Sequence, residues 1–338
     1  MMLRAARRTP SDESLGCDAV ARNATAKRPP VRRSPAKAAA RAAAAQHLPQ
    51  ASWISAARPR TLPLAIAPVA LGTGAAVAGG GSKHLWLALL CLAVSLLLQI
   101  GVNFANDYSD GVRGTDRYRV GPPRLTASGR AKPRTVLTVA LACFALAAAA
   151  GIVIVVVTQV WWLLAVGAAA ILAAWFYTGG KRPYGYAGFG EIAVFLFFGV
   201  AATAGTTFVL IGFVNAESWF CSVAIGCIAC AVLVVNNLRD IDQDAAAGKR
   251  TLSVRIGARG SRILFGVLML VPYLVVGYLT LFYPAASLVF LTVLLAGPAV
   301  LITATAKTSR ELVLALSLTG ISALVYSLGL AAALALPL

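Results

Sequence analysis

From Thr61 to the end of the chain, the sequence is a succession of apolar runs that contain almost no charge. Each run is close to the roughly 20 residues that a helix needs to cross a bilayer. Composition agrees, because only 12% of the residues are charged, whereas soluble domains carry about 25%. The pattern predicts an all-α, multi-pass membrane bundle of nine spanning helices, near residues 61–80, 85–105, 135–156, 160–177, 192–213, 218–237, 263–282, 285–305 and 312–335.

The basic residues between these runs predict how the helices are oriented. If the N-terminus is cytoplasmic, the outer loops carry only Lys83, and every other Lys or Arg after Thr61 falls in an inner loop. Cytoplasmic loops of membrane proteins carry such an excess of Lys and Arg. We therefore expect a cell-membrane protein with a cytoplasmic N-terminus and an outer C-terminus. The inner loops are 106–134, 178–191, 238–262 and 306–311.

The net charge of +18 could indicate nucleic acid as a partner in a soluble protein. In this chain it indicates membrane topology and affinity for anionic lipid or an anionic substrate, and we expect no nucleic-acid partner. Residues 1–50 are rich in Arg, Ala and Pro and nearly free of large apolar residues, so we expect a disordered basic tail before a membrane domain over 51–338. A transit peptide or an over-long gene start are alternatives for this tail.

An acidic cluster follows the second apolar run, in Asn103-Phe-Ala-Asn-Asp-Tyr-Ser-Asp-Gly-Val-Arg-Gly-Thr-Asp116. Asn103, Asn106, Asp107 and Asp110 have the spacing of one helix face. A carboxylate inside a membrane costs roughly 2.5–3.5 kcal/mol on insertion scales, so it marks a functional site by default. The stretch is therefore a candidate site at the cytoplasmic membrane edge.

A second acidic cluster follows the sixth run, in Asn236-Asn-Leu-Arg-Asp-Ile-Asp-Gln-Asp244. Asn236, Asp240 and Asp244 recur at steps of four, which predicts one shared face, whereas Asp242 falls off it. The spacing Asn106-x-x-x-Asp110 recurs as Asn236-x-x-x-Asp240, so the two clusters form a short parallel repeat. The two clusters together hold six of the twelve acidic residues of the chain.

Two oxygen-rich clusters on separate helices favour binding of a hard divalent cation, and they favour Mg²⁺ over Zn²⁺. Such ions could bridge the oxygens of a diphosphate and make it a leaving group. Arg124, Lys249 and Arg250 are placed to complete an anion clamp, and the apolar bundle could house a hydrocarbon tail. The simpler alternative is that each of these residues is a solvated helix end, and it holds best for Asp116 and Asp242.

Asn106-Asp-Tyr-Ser-Asp110 followed by Asp116, with Asp240-x-x-x-Asp244, resembles the two aspartate motifs of the UbiA superfamily of intramembrane prenyltransferases. The usual third acid stands four residues after the second, where this chain has Gly114. The longer spacing to Asp116 is similar to the branch that acts on dihydroxynaphthoate. Three further stretches resemble that branch: Ala57-Arg-Pro-Arg-Thr-Leu-Pro63, Gly121-Pro-Pro-Arg-Leu-Thr-Ala-Ser-Gly129 and Tyr177-Thr-Gly-Gly-Lys-Arg-Pro-Tyr-Gly-Tyr-Ala-Gly-Phe-Gly-Glu191.

The resemblance implies a helical bundle around a central cavity that opens toward the cytoplasm. It implies transfer of a polyprenyl group from its diphosphate to 1,4-dihydroxy-2-naphthoate with loss of carbon dioxide, giving demethylmenaquinone. Tyr177 and Lys181 could meet the carboxylate or hydroxyl of the acceptor. Asn236 would add to the diphosphate contacts. The residues that would hold Mg²⁺ are Asn106, Asp107, Asp110, Asp116, Asp240 and Asp244.

Two alternatives remain at this point. One is the same transfer to another aromatic acceptor, such as 4-hydroxybenzoate or homogentisate. The other is a secondary transporter, because intramembrane acids also mark ion pathways. Transporter sites usually lie near the bilayer midplane, often between inverted repeats, whereas both clusters here fall at inner helix ends in a parallel arrangement.

Overall fold

The structure, a computed structural model, describes residues 51–81, 84–115 and 124–336. The predicted tail, Lys83 and Asp116 lie outside these residues. Within the described ranges all regular secondary structure is helical. The helices are α1 (Trp53–Ala57), α2 (Pro63–Ala78), α3 (Leu87–Arg113), α4 (Pro133–Thr158), α5 (Leu163–Phe176), α6 (Gly190–Ile211), α7 (Ala216–Arg239), α8 (Ile241–Ala246), α9 (Leu252–Leu279), α10 (Pro284–Thr305) and α11 (Ser309–Ala335).

Each of the nine predicted spans corresponds to one helix of the structure. Among the described residues, seven helices are long and apolar enough to cross a membrane, and an eighth span results if the bent pair Trp53–Thr61 and Pro63–Ala78 is taken as one. The ninth, α5, has only 14 residues, fewer than a full crossing requires. The prediction of an all-α membrane bundle is confirmed, and the count of nine is approximate.

The carboxyl end of α3 lies well beyond its predicted end near residue 105. The helix continues to Arg113 and stops where Gly114 adopts φ 73°, a left-handed conformation that glycine adopts without steric cost. This extension places Asn106, Asp107 and Asp110 within the last turns of one regular helix. Their side chains are therefore held by helical backbone rather than by a loop.

Helix α7 is the central helix of the bundle. Its apolar span is 78% buried, whereas the other candidate spans are 28–50% buried. Small residues allow neighbours to approach closely, as is common between membrane helices: a Cβ on Gly199 of α6 would lie 2.8 Å from the Cα of Gly226 of α7. Leu71 of α2, Phe265 of α9 and Tyr326 of α11 belong to the same buried apolar cluster.

One end of the bundle carries most of the polar groups described below, and we call it the polar end. It consists of the carboxyl ends of α3, α5 and α7, helix α8, and the loops 124–132, 177–189 and 247–251. Arg113 of α3 donates hydrogen bonds to the carbonyls of Thr178 and Gly180. The backbone N–H of Arg250 donates to the carbonyl of Tyr186 at 2.8 Å. These contacts join the loops 177–189 and 247–251 and α3 at this end.

Candidate active site

A cavity of about 570 Å³ lies among α3, α4, α5, α6 and α7 and reaches the polar end. Its walls within the bundle are mainly apolar and include Leu98, Val102, Ile171, Phe197 and Phe198. Phe197 and Phe198 belong to a π-helical stretch of α6, and such stretches are frequent at functional sites. Polar residues of both predicted clusters line the cavity at the polar end: Asn103, Asn106, Asp110, Asn236, Asn237, Asp240 and Asp244.

Asp110 is a buried carboxylate of the site that three other side chains contact. It is only 2% exposed, and Nη1 of Arg124 lies 2.9 Å from its Oδ2. Nζ of Lys249 lies 3.7 Å from its Oδ1, and Tyr186 donates its phenolic hydrogen to the same oxygen. A buried carboxylate requires such partners, and here they come from three different parts of the chain.

The second cluster is bent at Asp240. Helix α7 ends at Arg239, and Asp240 has φ −100° and ψ 10° before α8 begins. The predicted single face assumed one continuous helix, and this assumption was wrong. Asn236 before the bend, Asp240 at it and Asp244 after it nevertheless all line the cavity.

Two basic side chains contact the acids of the second cluster. Arg239 binds the carboxylate of Asp240 with Nε at 2.8 Å and Nη2 at 2.5 Å. Nζ of Lys249 lies 3.8 Å from Oδ1 of Asp244. Since Lys249 also contacts Asp110, this ammonium group connects the two acidic clusters.

Asn106 and Asp107 mainly hold the polar end together. Oδ1 of Asn106 accepts a 2.6 Å hydrogen bond from the Thr178 hydroxyl, and its carbonyl accepts one from Arg124 at 2.6 Å. The two carboxylate oxygens of Asp107 accept 2.9 Å bonds from the backbone N–H groups of Leu125 and Thr126. Asn106 lines the cavity and Asp107 does not, and the metal contact predicted for Asp107 stays a prediction.

Tyr186 is a residue of the site that the sequence reasoning did not single out, although it falls in the quoted stretch 177–191. It lines the cavity, and its ring faces Nζ of Lys249 at 4.5 Å and the guanidinium of Arg113 at 5.6 Å. Burial first, and then the negative charge of Asp110, raises the pKa of Tyr186 above its ordinary value. The phenol is therefore neutral near pH 7 and available as a hydrogen-bond donor.

The other predicted residues divide into two groups. Tyr177, Arg124 and Lys249 line the cavity. Lys181 and Arg250 are exposed and do not line it, because their positions in the loops turn their side chains outward. Asp242 is exposed as well, in agreement with its predicted place off the shared face.

The chain matches the UbiA prenyltransferase family model over residues 65–318, which is most of its length. The chain belongs to the UbiA prenyltransferase family. The fold also resembles a solved structure, that of a UbiA homolog from Archaeoglobus fulgidus bound to GPP and Mg²⁺. The two structures superpose with a TM-score of 0.57 at 16% sequence identity. That match covers 84% of this chain and 99% of the other.

Several bacterial relatives of this UbiA-family chain carry the same name, and vertebrate relatives at 26–27% identity are named UbiA prenyltransferase domain-containing protein 1. The 1,4-dihydroxy-2-naphthoate octaprenyltransferase of Mycobacterium tuberculosis is 50% identical over 289 residues, which is 84% of this chain and 97% of the relative. The Escherichia coli protein of the same name is 37% identical over 217 residues, which is 62% of this chain and 70% of the relative.

The donor set of this UbiA-family site fits a hard divalent cation. Asp110, Asp240 and Asp244 bring carboxylate oxygens to one end of one cavity, and Mg²⁺ prefers oxygen ligands. Among the described residues, no group of three His, Cys, Asp or Glu side chains forms a ready-made metal centre. This agrees with Mg²⁺ sites in which one or two carboxylates, water and substrate phosphates share the coordination.

Proposed function

We propose that this chain transfers a polyprenyl group from its diphosphate to 1,4-dihydroxy-2-naphthoate, with loss of carbon dioxide, giving demethylmenaquinol, the hydroquinone form of demethylmenaquinone. The observation that carries the proposal is the convergence of both acidic clusters on the polar end of one apolar cavity. The names of the relatives, at 37–50% identity, support this choice of acceptor. Membership of the UbiA family supports prenyl transfer.

The polar end has the charges that a diphosphate leaving group requires. Arg124 and Lys249 supply positive charge there, and both contacts can be redirected to phosphate oxygens. Asp110, Asp240 and Asp244, with the amide of Asn236, would hold Mg²⁺. Mg²⁺ bound there would neutralise the diphosphate and so favour its departure.

The apolar walls have two tasks in this reaction. They would bind the hydrocarbon tail of the donor, and they would keep water from the allylic carbon when its bond to the diphosphate oxygen breaks. The bonding electron pair leaves with the diphosphate. A ring carbon of the acceptor supplies the pair for the new carbon–carbon bond. The acceptor's carboxylate leaves as carbon dioxide, and the electron pair of its broken bond stays with the ring, so the aromatic hydroquinone is restored.

The acceptor would lie beside Tyr177 and Tyr186, between the apolar walls and the acidic clusters. Tyr177 lines the cavity at the end of α5, and its hydroxyl would meet a hydroxyl or carboxylate of the acceptor. Lys181 lies on the exposed side of the same loop. Its ammonium group would act on the acceptor's carboxylate only through long-range electrostatic attraction.

A product assay tests the acceptor. Purified protein should join a prenyl diphosphate to 1,4-dihydroxy-2-naphthoate and release one carbon dioxide per product. The enzyme could instead prefer 4-hydroxybenzoate, with its carboxyl group retained, or homogentisate over dihydroxynaphthoate. That result would overturn the proposed acceptor and leave the family assignment intact. Accumulation of substrate across vesicles without a prenylated product would favour transport instead.

We also propose that the polar end faces the cytoplasm in the cell membrane, with the N-terminus cytoplasmic and the C-terminus outside. Single cysteines at the exposed positions Ser128 and Ala247 should react with a membrane-impermeant reagent only from the inner side. A cysteine at exposed Ser287, at the opposite end of the bundle, is the matched control and should react only from outside. Reversed labelling would contradict this orientation.

A further inference from the structure

Lys249 contacts the two acidic clusters differently from the arginines. Its Nζ lies 3.7 Å from Asp110 and 3.8 Å from Asp244, longer than the roughly 2.7–2.9 Å of a direct charged hydrogen bond. Arg124 and Arg239, by contrast, approach their carboxylates to 2.9 and 2.5 Å. The ammonium group is therefore held as a point charge between two carboxylates, whereas the guanidinium groups are held by directed bonds.

The surroundings of Lys249 keep its ammonium group at this point between the clusters. Its backbone N–H donates to the carbonyl of Asp244 at 2.8 Å, and the ring of Tyr186 faces the ammonium at 4.5 Å. The side chain is only 11% exposed. A flexible four-carbon stem allows the ammonium to move a short distance without moving this backbone.

We propose that Lys249 is the internal counter-ion of Asp110 and Asp244 whenever no divalent cation is bound, and that it thereby makes binding of the divalent cation depend on the diphosphate. A divalent cation alone must displace the ammonium from both carboxylates, and the displaced charge then remains beside the incoming cation. When a diphosphate arrives as well, its oxygens offer the ammonium a new partner. Binding of each ligand then favours binding of the other.

This coupling rests on the proposed function, since it assigns the diphosphate and the cation to the same polar end. Two chemical reasons make this coupling useful for prenyl transfer. A divalent cation that bound tightly without substrate would occupy the place of the Mg²⁺–diphosphate complex. A counter-ion supplied by the chain holds the two carboxylates near each other, where their like charges would otherwise repel.

The test is a titration of the purified full chain with Mn²⁺ alone, followed by spin resonance of the free ion. Lys249→Met should bind Mn²⁺ about tenfold more tightly than the wild type, within the usual range of coupling between two ligands. Lys249→Arg, which keeps the charge, should bind Mn²⁺ as weakly as the wild type. Lys307→Met removes an exposed lysine outside the cavity and should change nothing.

The same titration with inorganic diphosphate present completes the test. Diphosphate should raise the affinity of the wild type for Mn²⁺ by about tenfold or more, and should raise that of Lys249→Met much less. Equal Mn²⁺ affinity of wild type and Lys249→Met without diphosphate would overturn the proposal. If Lys249→Met does not fold, Lys249→Gln removes the same charge and is held to the same outcome.

Binding and turnover separate this inference from the proposed function. If the Mn²⁺ affinities change as expected while dihydroxynaphthoate is not prenylated, the acceptor assignment fails and the counter-ion role stands. If dihydroxynaphthoate is prenylated while the Mn²⁺ affinities of wild type and Lys249→Met are equal, the counter-ion role fails and the function stands.

Discussion

The hydroxyl of Tyr186 donates a hydrogen bond to Oδ1 of Asp110, although 76 positions separate the two residues in the chain. A neutral donor on one carboxylate oxygen fixes the direction in which the other oxygen points. This bond therefore links the loop after α5 to the acidic end of α3. It makes Tyr186 a positioning residue for the carboxylate most central to the proposed site.

We expect Tyr186→Phe to lower kcat/KM for prenyl transfer about tenfold. A hydrogen bond to a charged group contributes roughly 1.5–3 kcal/mol, and a 1.4 kcal/mol loss corresponds to about tenfold. Steady-state kinetics at matched protein levels measures the effect. Tyr283→Phe is the control, because Tyr283 donates to Glu217 outside the cavity; equal activity of both variants would contradict the role of Tyr186.

The raised pKa of Tyr186 makes a prediction about pH. Burial and the negative charge of Asp110 raise the pKa, so the hydroxyl hydrogen is fully present below the ordinary tyrosine value of about 10 and is lost only as the pH rises through the higher folded value. The fall of activity at alkaline pH should therefore occur at the same pH in wild type and in Tyr186→Phe. If the fall of activity at alkaline pH disappears in Tyr186→Phe, the phenol of Tyr186 ionises within the pH range in which the enzyme is active, and the prediction is wrong.

Asp107→Asn should reduce stability as well as activity. The carboxylate of Asp107 accepts from two backbone N–H groups, and an amide in its place turns a second donor toward one of them. Leaving a buried donor without an acceptor costs roughly 1–3 kcal/mol. Thermal unfolding in detergent should show a lower midpoint for Asp107→Asn than for Asp242→Asn, whose side chain is exposed. Equal midpoints would contradict the structural role of Asp107.

The contact between α6 and α7 depends on glycine. A Cβ on Gly199 would lie 2.8 Å from Gly226 Cα and 2.8 Å from the Ser222 carbonyl, so we expect Gly199→Ala to destabilise the bundle by about 2 kcal/mol. Gly266 on α9 has open space where a Cβ would stand, and Gly266→Ala should be neutral or slightly stabilising. Thermal unfolding of the pair measures the difference, and equal midpoints would count against the close helix contact.

The spans and both acidic clusters could be predicted from sequence because a bilayer imposes length and apolarity on each helix. The end of α3 could not. Asn106, Asp107 and Asp110 look like a loop by polarity, yet their side chains are satisfied by Thr178, by the backbone at 125–126 and by Arg124. These partners are distant in the chain, so local spacing indicates that these residues share a helix face but does not show that α3 continues to Arg113.

The residues around the clusters show the same limit. Lys249 and Arg250 are adjacent and equally basic, but only Lys249 lines the cavity. The hydrogen bond from the Arg250 N–H to Tyr186 helps to set which way each side chain points. Tyr186 itself carries no charge pattern that marks it. Sequence therefore predicts which loops matter, whereas tertiary contacts decide which side chain in each loop faces the site.

The central claim is that both acidic clusters act together on a Mg²⁺–diphosphate complex at the polar end of the cavity. The most direct test compares prenyl transfer by Asp110→Asn and Asp242→Asn in the same membranes at matched protein levels. Asp110 is buried in the cavity wall and Asp242 is exposed away from it. We expect Asp110→Asn to lose on the order of a hundredfold in rate and Asp242→Asn to stay within about twofold of wild type, as exposed positions usually do. A chelator should abolish wild-type activity and Mg²⁺ restore it, whereas near-full turnover by Asp110→Asn, or activity indifferent to the chelator, would contradict the claim.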